Sequence, residues 1–200
     1  MKALLDIGST QYRSLSDDVL PLVAGQLLTP LTRYTRWAEK YAIDNGAYSQ
    51  FDMDAFLALL EREKEHKDKC LFVCCPDVVG YGRRTLEVFF ERHKFIPQGW
   101  PVAFVCQDGA EDHCIPWSVL DAIFIGGTDA WKMGPAAASI IKTAKIFRKH
   151  THAGRVNGAE RWSHFEKLGV DTCDGSGISR YDHMLERIAN KDHLPLLENA

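Results

Sequence analysis

Several short segments of this chain are apolar at every position, and segments with helical spacing separate them. Leu71–Cys75, Val102–Cys106 and Ala122–Ile125 are the clearest. A strand that is apolar throughout is buried on both faces, which is typical of a parallel sheet covered by helices. The alternation therefore predicts an α/β fold. About six clear strand–helix units, with one or two obscure ones before them, favour a compact (β/α) TIM-type barrel, and an open doubly wound parallel sheet is the alternative.

The N-terminal part has the weakest pattern and is expected to be irregular. Lys2–Ile7 and Val23–Leu28 are candidate strands, and Leu31–Lys40 is either a short helix or an irregular link. Farther along, Asp52 has the position of a helix N-cap before an apolar helical face. The last predicted helix covers about Ser179–Ala189. Because no linker or low-complexity segment divides the sequence, one domain over residues 1–200 is predicted.

The composition excludes a strongly basic protein. The 200 residues have a formal net charge of -3 and a pI near 6.2, so a nucleic acid would have to be held by a local patch. Six cysteines without a Cys-x-x-Cys pair, and no signal-peptide pattern, indicate free thiols in a reducing cytoplasm and no metal. Adjacent Cys74 and Cys75 should point to opposite faces of a strand. No apolar run approaches the roughly 20 residues of a membrane helix, so no membrane partner is expected.

Polar residues follow the predicted strands at the point where each strand ends. They are Asp44, Asp77, Gln107 with Asp108, Gly126 with Gly127, Arg155 with Asn157, and Asp174. In parallel α/β folds these strand ends converge on one pocket, so the set predicts a functional site. Polar βα turns are common in their own right, and a purely structural role for these residues stays open.

The residue types favour covalent chemistry at a sugar carbon. Several carboxylates without a set of metal-binding histidines suit general acid–base catalysis combined with nucleophilic attack by a carboxylate. The amide of Gln107 and the backbone groups of Gly126 and Gly127 are suited to reading the edge of a flat heterocycle. Tyr48 and Trp131 are candidates for stacking on it. His152 is either a hydrogen-bonded strand residue or a catalyst.

Four segments together resemble the tRNA-guanine transglycosylase superfamily, and in particular its small DpdA-like branch, the DNA 7-deazaguanine transglycosylases of phages and bacteria. They are Ile43–Tyr48, Val105–Gly109, Phe124–Gly127 and Gly169–Asp174. Their order along the chain and their strand-end positions match those of the family motifs. The resemblance covers about residues 41–180.

The resemblance implies a role for each matching residue. Asp174 corresponds to the aspartate that attacks the anomeric carbon, and Asp44 to the general acid–base. Asp77, Gln107, Gly126 and Gly127 correspond to groups that bind the base, with Asp77 the loosest match. Lys132, Arg155, Asp171 and Arg180 are candidates for contacts to the nucleic-acid backbone or for supporting roles. No metal or other cofactor is implied.

The resemblance also implies the partners. The zinc-binding C-terminal subdomain of the tRNA enzymes has no counterpart here, which favours DNA over tRNA as the substrate, with a 7-deazaguanine base as co-substrate. A homodimer or accessory modification proteins would help such a small enzyme to grip DNA. Three alternatives stay open: a tRNA-guanine transglycosylase, a hydrolase or transferase acting on free nucleosides, and a non-catalytic base-binding module of a DNA-modification cluster.

Overall fold

The computed structural model describes residues 1–190, and its eight parallel strands form a closed barrel. The strands are β1 (Lys2–Leu5), β2 (Val23–Leu28), β3 (Tyr41–Ile43), β4 (Cys70–Cys74), β5 (Val102–Cys106), β6 (Ala122–Ile125), β7 (His150–Ala153) and β8 (Thr172–Cys173). Each strand pairs with its sequence neighbours, and β1 also pairs with β8. Because that last pairing closes the sheet, the barrel prediction is confirmed and the open doubly wound sheet is excluded.

Across the described residues 1–190, eight α-helices lie between or after the strands. They are α1 (Ser9–Arg13), α2 (Met53–Glu63), α3 (Gly82–Arg92), α4 (Asp129–Lys132), α5 (Pro135–Ile146), α6 (Ala159–Lys167), α7 (Ser176–Arg180) and α8 (Asp182–Ala189). The predicted cap of α2 is present, since a carboxylate oxygen of Asp52 accepts from the backbone N–H of Ala55 at 3.0 Å. Within residues 1–190 no helix is long and apolar enough to cross a membrane.

Side chains alternate between the barrel interior and the helix layer. One buried cluster fills the interior and includes Leu4, Leu27, Phe72, Val105 and Phe124. A larger cluster joins the outward faces of the strands to the helices. Cys74 belongs to the interior cluster and Cys75 to the outer one, as the strand alternation predicts. The strands therefore bury both faces, which explains their unbroken apolar character.

Two element boundaries differ from the sequence predictions, and one open alternative is decided. β1 ends at Leu5, so Asp6 follows the strand. Residues 31–40 are irregular, the second of the two predicted options. The single C-terminal helix expected over Ser179–Ala189 is instead two helices, α7 and α8, which meet at Tyr181. The extended backbone of Tyr181, with φ -126° and ψ 103°, interrupts the helical hydrogen bonding at that point.

Candidate active site

The carboxyl ends of the strands surround a cavity of about 420 Å³. The interior residues Leu27, Cys74, Val105 and Phe124 form its apolar lining, and residues that follow strand ends form its polar lining. The polar residues include Asp6, Asp44, Asn45, Asp77, Gln107, Arg155 and Asp174. A cavity of this size with an apolar floor and a few convergent polar groups is typical of a small-molecule site. Gly126, Gly127 and Arg180 also line it, so eight of the ten predicted site residues meet here.

Asp174 directly follows β8, and two backbone hydrogen bonds fix its main chain. Its backbone N–H donates to the carbonyl of Ala153 at 3.1 Å, and its own carbonyl accepts from the N–H of Val156 at 2.6 Å. Its carboxylate oxygen Oδ1 lies 3.0 Å from Nε2 of His152, while Oδ2 has no hydrogen-bond partner among residues 1–190. About 16% of the side chain is exposed, so the carboxylate faces the cavity with one oxygen engaged and one available.

Asp44 follows β3 on the same rim. Its Oδ1 accepts from the backbone N–H of Gly46 at 2.8 Å, which is typical Asx-turn geometry. Burial raises the pKa of this carboxyl from 3.8 to about 7, and the negative charges of Asp174, Asp77 and Asp6 act in the same direction, while the Gly46 hydrogen bond acts against them. Asp44 therefore exchanges a proton near neutral pH, as a general acid–base requires.

Asp77 and Gln107 form a hydrogen-bonded pair. Nε2 of Gln107 donates to one carboxylate oxygen of Asp77 at 2.6 Å, and Nδ2 of Asn45 donates to the other at 2.8 Å. Burial raises the pKa of Asp77, and these two donors oppose the rise. The remaining acceptor of the glutamine, Oε1, receives the backbone N–H groups of Gly80 and Gly127 at 2.9 and 2.7 Å. Gln107 consequently braces the site and keeps at most one N–H for a ligand.

The two glycines allow this brace to fit. A Cβ atom on Gly126 would lie 2.8 Å from Nε2 of Gln107, and a Cβ on Gly127 would meet the Trp131 ring. Both glycine N–H groups are already used, by the carbonyl of Cys106 and by Oε1 of Gln107. Among the described residues the Gly126 carbonyl has no partner, so it is the backbone group of this pair that a ligand can reach.

Arginine and tyrosine side chains form the outer wall of the cavity. The guanidinium of Arg155 donates to the carbonyl of Gly127 and lies over the ring of Tyr48, 4.8 Å from its centroid. Arg155 has a left-handed backbone with φ 58°, which turns its side chain back across the mouth. Tyr48 is 70% exposed. Arg180 is exposed at the end of α7 and has no hydrogen-bond or ion-pair partner within residues 1–190.

Three residues singled out by the sequence do not line the cavity. They are the predicted site residues Lys132 and Asp171 and the stacking candidate Trp131. Lys132 is fully buried, and its Nζ donates to the carbonyl of Gly154 at 2.9 Å. The predicted contact between Lys132 and a nucleic-acid backbone is therefore wrong, and only the supporting role fits its position. Asp171 precedes β8 at the opposite end of the barrel, where Lys145 and Thr151 bond its carboxylate. Trp131 packs beside Gly127 and donates to Glu111.

Asp6 and Asn45 are among the cavity residues that the sequence prediction missed. The sequence pattern predicts Asp6 within a strand, but β1 stops at Leu5 and leaves Asp6 exposed at the rim, where the Tyr34 hydroxyl donates to it. An acidic residue directly after an apolar run was the available signal. Asn45, next to Asp44, had no separate signal, because its role depends on the carbonyl of Cys75 and the carboxylate of Asp77, 30 and 32 residues away.

Comparisons with known proteins found a distant structural likeness and no match among family models or curated proteins. Among solved structures, one described as "Native KDPGal structure" is similar, with 14% sequence identity, a TM-score of 0.42, and coverage of 94% of this chain and 88% of that chain. This likeness is too distant to support an argument about substrate or mechanism.

Proposed function

We propose that this protein is a base-exchange enzyme that replaces guanine in DNA with a 7-deazaguanine through a covalent aspartyl–deoxyribosyl intermediate. The observation that carries the proposal is the pairing of two unlike carboxyls in one cavity. Among residues 1–190, one carboxylate oxygen of Asp174 has no hydrogen-bond partner, and Asp44 has a pKa of about 7. These are the properties of a nucleophile and of a general acid–base in displacement at an anomeric carbon.

The first half-reaction expels guanine. Oδ2 of Asp174 supplies an electron pair to C1′ of the deoxyribose, and the bond between C1′ and N9 of guanine breaks. The electron pair of that bond leaves with the base, which takes up the proton of Asp44. The products are free guanine, an ionised Asp44 and an ester between Asp174 and the sugar.

In the second half-reaction Asp44 acts as a base and Asp174 is the leaving group. The ionised Asp44 accepts the N9 proton of the incoming 7-deazaguanine, whose N9 then attacks C1′. The ester bond breaks, and its electrons return to Asp174. Asp44 ends protonated, so the enzyme is restored without a metal or redox cofactor. A group with a pKa near the working pH serves both steps, because it is easily protonated and easily ionised.

The base would lie on the wall that carries Asp77. This carboxylate is held by Asn45 and Gln107, so its position is fixed before a ligand arrives. A carboxylate accepts hydrogen bonds from the N1–H and exocyclic amino groups of guanine, which 7-deazaguanines share. The apolar side chains of Val105 and Phe124 line the space beside it.

The exposed mouth fits a polymer better than a free nucleoside. Arg155, Arg180 and Tyr48 combine positive charge with an aromatic face, the usual partners of phosphates and unstacked bases. A target base within a duplex would have to be flipped out of the stack to reach Asp174, at a cost of a few kcal/mol. This arrangement favours DNA over the nucleoside-level alternative.

The test is a single-turnover reaction with guanine-containing DNA, and in parallel with tRNA, followed by intact-protein mass spectrometry and by nucleoside analysis after adding 7-cyano-7-deazaguanine. Wild-type protein is expected to form a covalent DNA adduct and then to exchange the base. Asp174→Asn should form neither product, since an amide is a poor nucleophile.

Asp171→Asn is the matched control, because Asp171 belongs to the same motif but lies at the other end of the barrel. This variant should retain exchange and lose only stability. Exchange by the Asp174→Asn variant would overturn the assignment of the nucleophile. Exchange in tRNA alone would overturn DNA as the substrate, and no exchange in either nucleic acid would overturn the proposed reaction.

A further inference from the structure

A line of polar side chains runs through the barrel interior and ends at Asp174. Nε2 of His150 lies 2.8 Å from Oγ1 of Thr172, which lies 2.8 Å from Nδ1 of His152. Nε2 of His152 in turn lies 3.0 Å from Oδ1 of Asp174. The line alternates between β7 and β8, whose pairing places His152 opposite Thr172. Its members are therefore fixed by the sheet itself.

The surroundings of this line are apolar. His152 has no exposed surface, and its ring lies 4.9 Å from the ring of Phe72 and 4.7 Å from that of Phe124, centroid to centroid. The interior cluster is otherwise made of aliphatic, aromatic and cysteine side chains. A histidine in such a place needs hydrogen-bond partners for both ring nitrogens, and here it has them.

The donors and acceptors along the line agree with one arrangement of neutral rings. Nε2 of His152 must carry a proton to face the carboxylate of Asp174, which leaves its Nδ1 as an acceptor in the neutral ring. The hydroxyl of Thr172 then donates to Nδ1 and accepts from the Nε2–H of His150. Burial lowers the pKa of His150 to about 4, so His150 is neutral as well.

We propose that His152 is a positioning residue for the nucleophile, held by Thr172 as the neutral Nε2–H tautomer so that it donates to Oδ1 of Asp174 and leaves Oδ2 for attack. This inference rests on the proposed function for its chemistry, although the tautomer itself does not. The same hydrogen bond serves both half-reactions. Oδ1 becomes the ester carbonyl oxygen in the intermediate, and it regains negative charge when the ester breaks.

Two substitutions separate this role from simple packing. His152→Phe keeps an aromatic ring between Phe72 and Phe124 but removes the donor, whereas His152→Gln keeps a neutral N–H donor and loses the ring. A positioning role predicts that the Phe variant forms the DNA adduct about 10- to 100-fold more slowly and that the Gln variant recovers most of the rate. If His152 only fills space, the Phe variant should form the adduct faster than the Gln variant.

The measurements are the single-turnover rate of adduct formation, the affinity for 7-cyano-7-deazaguanine and the thermal unfolding midpoint. Base affinity should stay within about threefold in both variants, because His152 does not line the base wall. His66→Gln, at an exposed site, is the control and should match the wild-type protein. A Phe variant as fast as the wild type, or a Gln variant slower than the Phe variant, would overturn the proposal.

A second measurement does not depend on the reaction. Long-range ¹H–¹⁵N correlation spectra at pH 8 report which nitrogen of His152 carries the proton. We expect the Nε2–H tautomer in the wild-type protein and a mixture of tautomers in Thr172→Val, which lacks the hydroxyl that fixes Nδ1. An Nδ1–H ring, or a tautomer unaffected by Thr172→Val, would contradict the inference. If no nucleic acid yields an adduct, the proposed function fails, and these spectra still decide the role of His152.

Discussion

Asp44 shows how the position of a single residue creates a chemical property that its type does not have. An aspartate in water is ionised at neutral pH, but this one lies among three other carboxylates at the mouth of an apolar barrel interior, and its pKa rises to about 7. The hydrogen bond from Gly46 keeps the ionised form accessible. Both protonation states of the Asp44 carboxyl are therefore populated near neutral pH.

This titration predicts opposite pH dependences for the two half-reactions. Adduct formation needs the protonated Asp44 and should slow about tenfold per pH unit above pH 7, while attack by the incoming base needs the ionised form and should slow below pH 7. Single-turnover rates of each half-reaction between pH 5.5 and 8.5 test this. A pH-independent rate of adduct formation across that range would contradict the role of Asp44 as the acid.

The same titration makes a prediction about stability. A carboxyl whose pKa is raised on folding stabilises the folded state below its unfolded pKa of 3.8, and this contribution is lost as the pH rises through about 7. Asp44→Asn, which keeps an acceptor for Gly46, should therefore be more stable than the wild type by about 2 to 4 kcal/mol at pH 8. Urea unfolding at pH 8 and near pH 4 measures the difference, which should nearly vanish at the lower pH. Equal stability at pH 8 would argue against burial of the charge.

At the scale of elements, the ends of β4, β5 and β6 together form the cavity wall that carries Asp77. Gln107 follows β5, and its amide bridges to Gly127 after β6 and to Gly80 after β4. Since Asp77 also follows β4, the glutamine ties three strand ends to the carboxylate that would read the base. The wall is thus a property of neighbouring strands, and its shape depends on the absence of a side chain at Gly126.

We predict that Gly126→Ala weakens both base binding and the fold. The new Cβ would lie 2.8 Å from Nε2 of Gln107 and would push the amide away from Asp77. Affinity for 7-cyano-7-deazaguanine, measured by calorimetry, should fall at least tenfold, and stability should fall by about 1 to 3 kcal/mol.

Gly8→Ala is the matched control for this substitution. A Cβ on Gly8 would meet only the Tyr34 ring at 4.0 Å, which is ordinary contact, and its backbone has φ -80°. This variant should keep the base affinity of the wild type. Unchanged affinity in Gly126→Ala would mean that the Gln107 brace does not shape the base site.

At the scale of the whole molecule, the net charge is negative, and the cavity lining holds four aspartates beside the two arginines Arg155 and Arg180. The chain carries a formal charge of -3, so long-range attraction to a nucleic acid is weak, and contact depends on the few cations at the cavity mouth. Arg155 is already engaged by Gly127 and Tyr48. Arg180 is the exposed arginine of the cavity lining that has no partner in the described range, which makes it the best candidate for a phosphate contact.

Arg180→Ala should therefore weaken DNA binding without affecting free base binding. One lost phosphate contact should reduce the slope of log affinity against log salt concentration by about 1. Lys142→Ala, at an exposed position on α5, removes the same charge away from the cavity lining and serves as the control. Fluorescence anisotropy with labelled DNA over a range of salt concentrations measures both. Equal slopes for the two variants would exclude Arg180 from the interface.

Several features could be predicted from local pattern alone. Strands such as Val102–Cys106 were found because both of their faces are buried, which leaves an unbroken apolar run. The N-cap of α2 was found because Asp52 acts on a backbone group only three residues away. The strand-end positions of Asp44 and Asp174 follow from the same alternation, and the structure brings both to one cavity.

Features that depend on distant partners could not be predicted. Lys132 has the sequence context of a surface lysine, yet it is buried because the carbonyl of Gly154, 22 residues away, accepts from its ammonium group. The break between α7 and α8 has no proline or glycine to mark it.

The sequence by itself determined the class of fold, the order of strands and helices, and which residues stand at strand ends, because burial and hydrogen bonding of neighbouring residues control these features. Only the tertiary structure decided the closure of the barrel, the raised pKa of Asp44 and the line from His150 to Asp174. Each of these depends on groups 20 or more residues apart being brought together in a medium of low dielectric constant, where a charge or an unpaired donor has a large energetic effect.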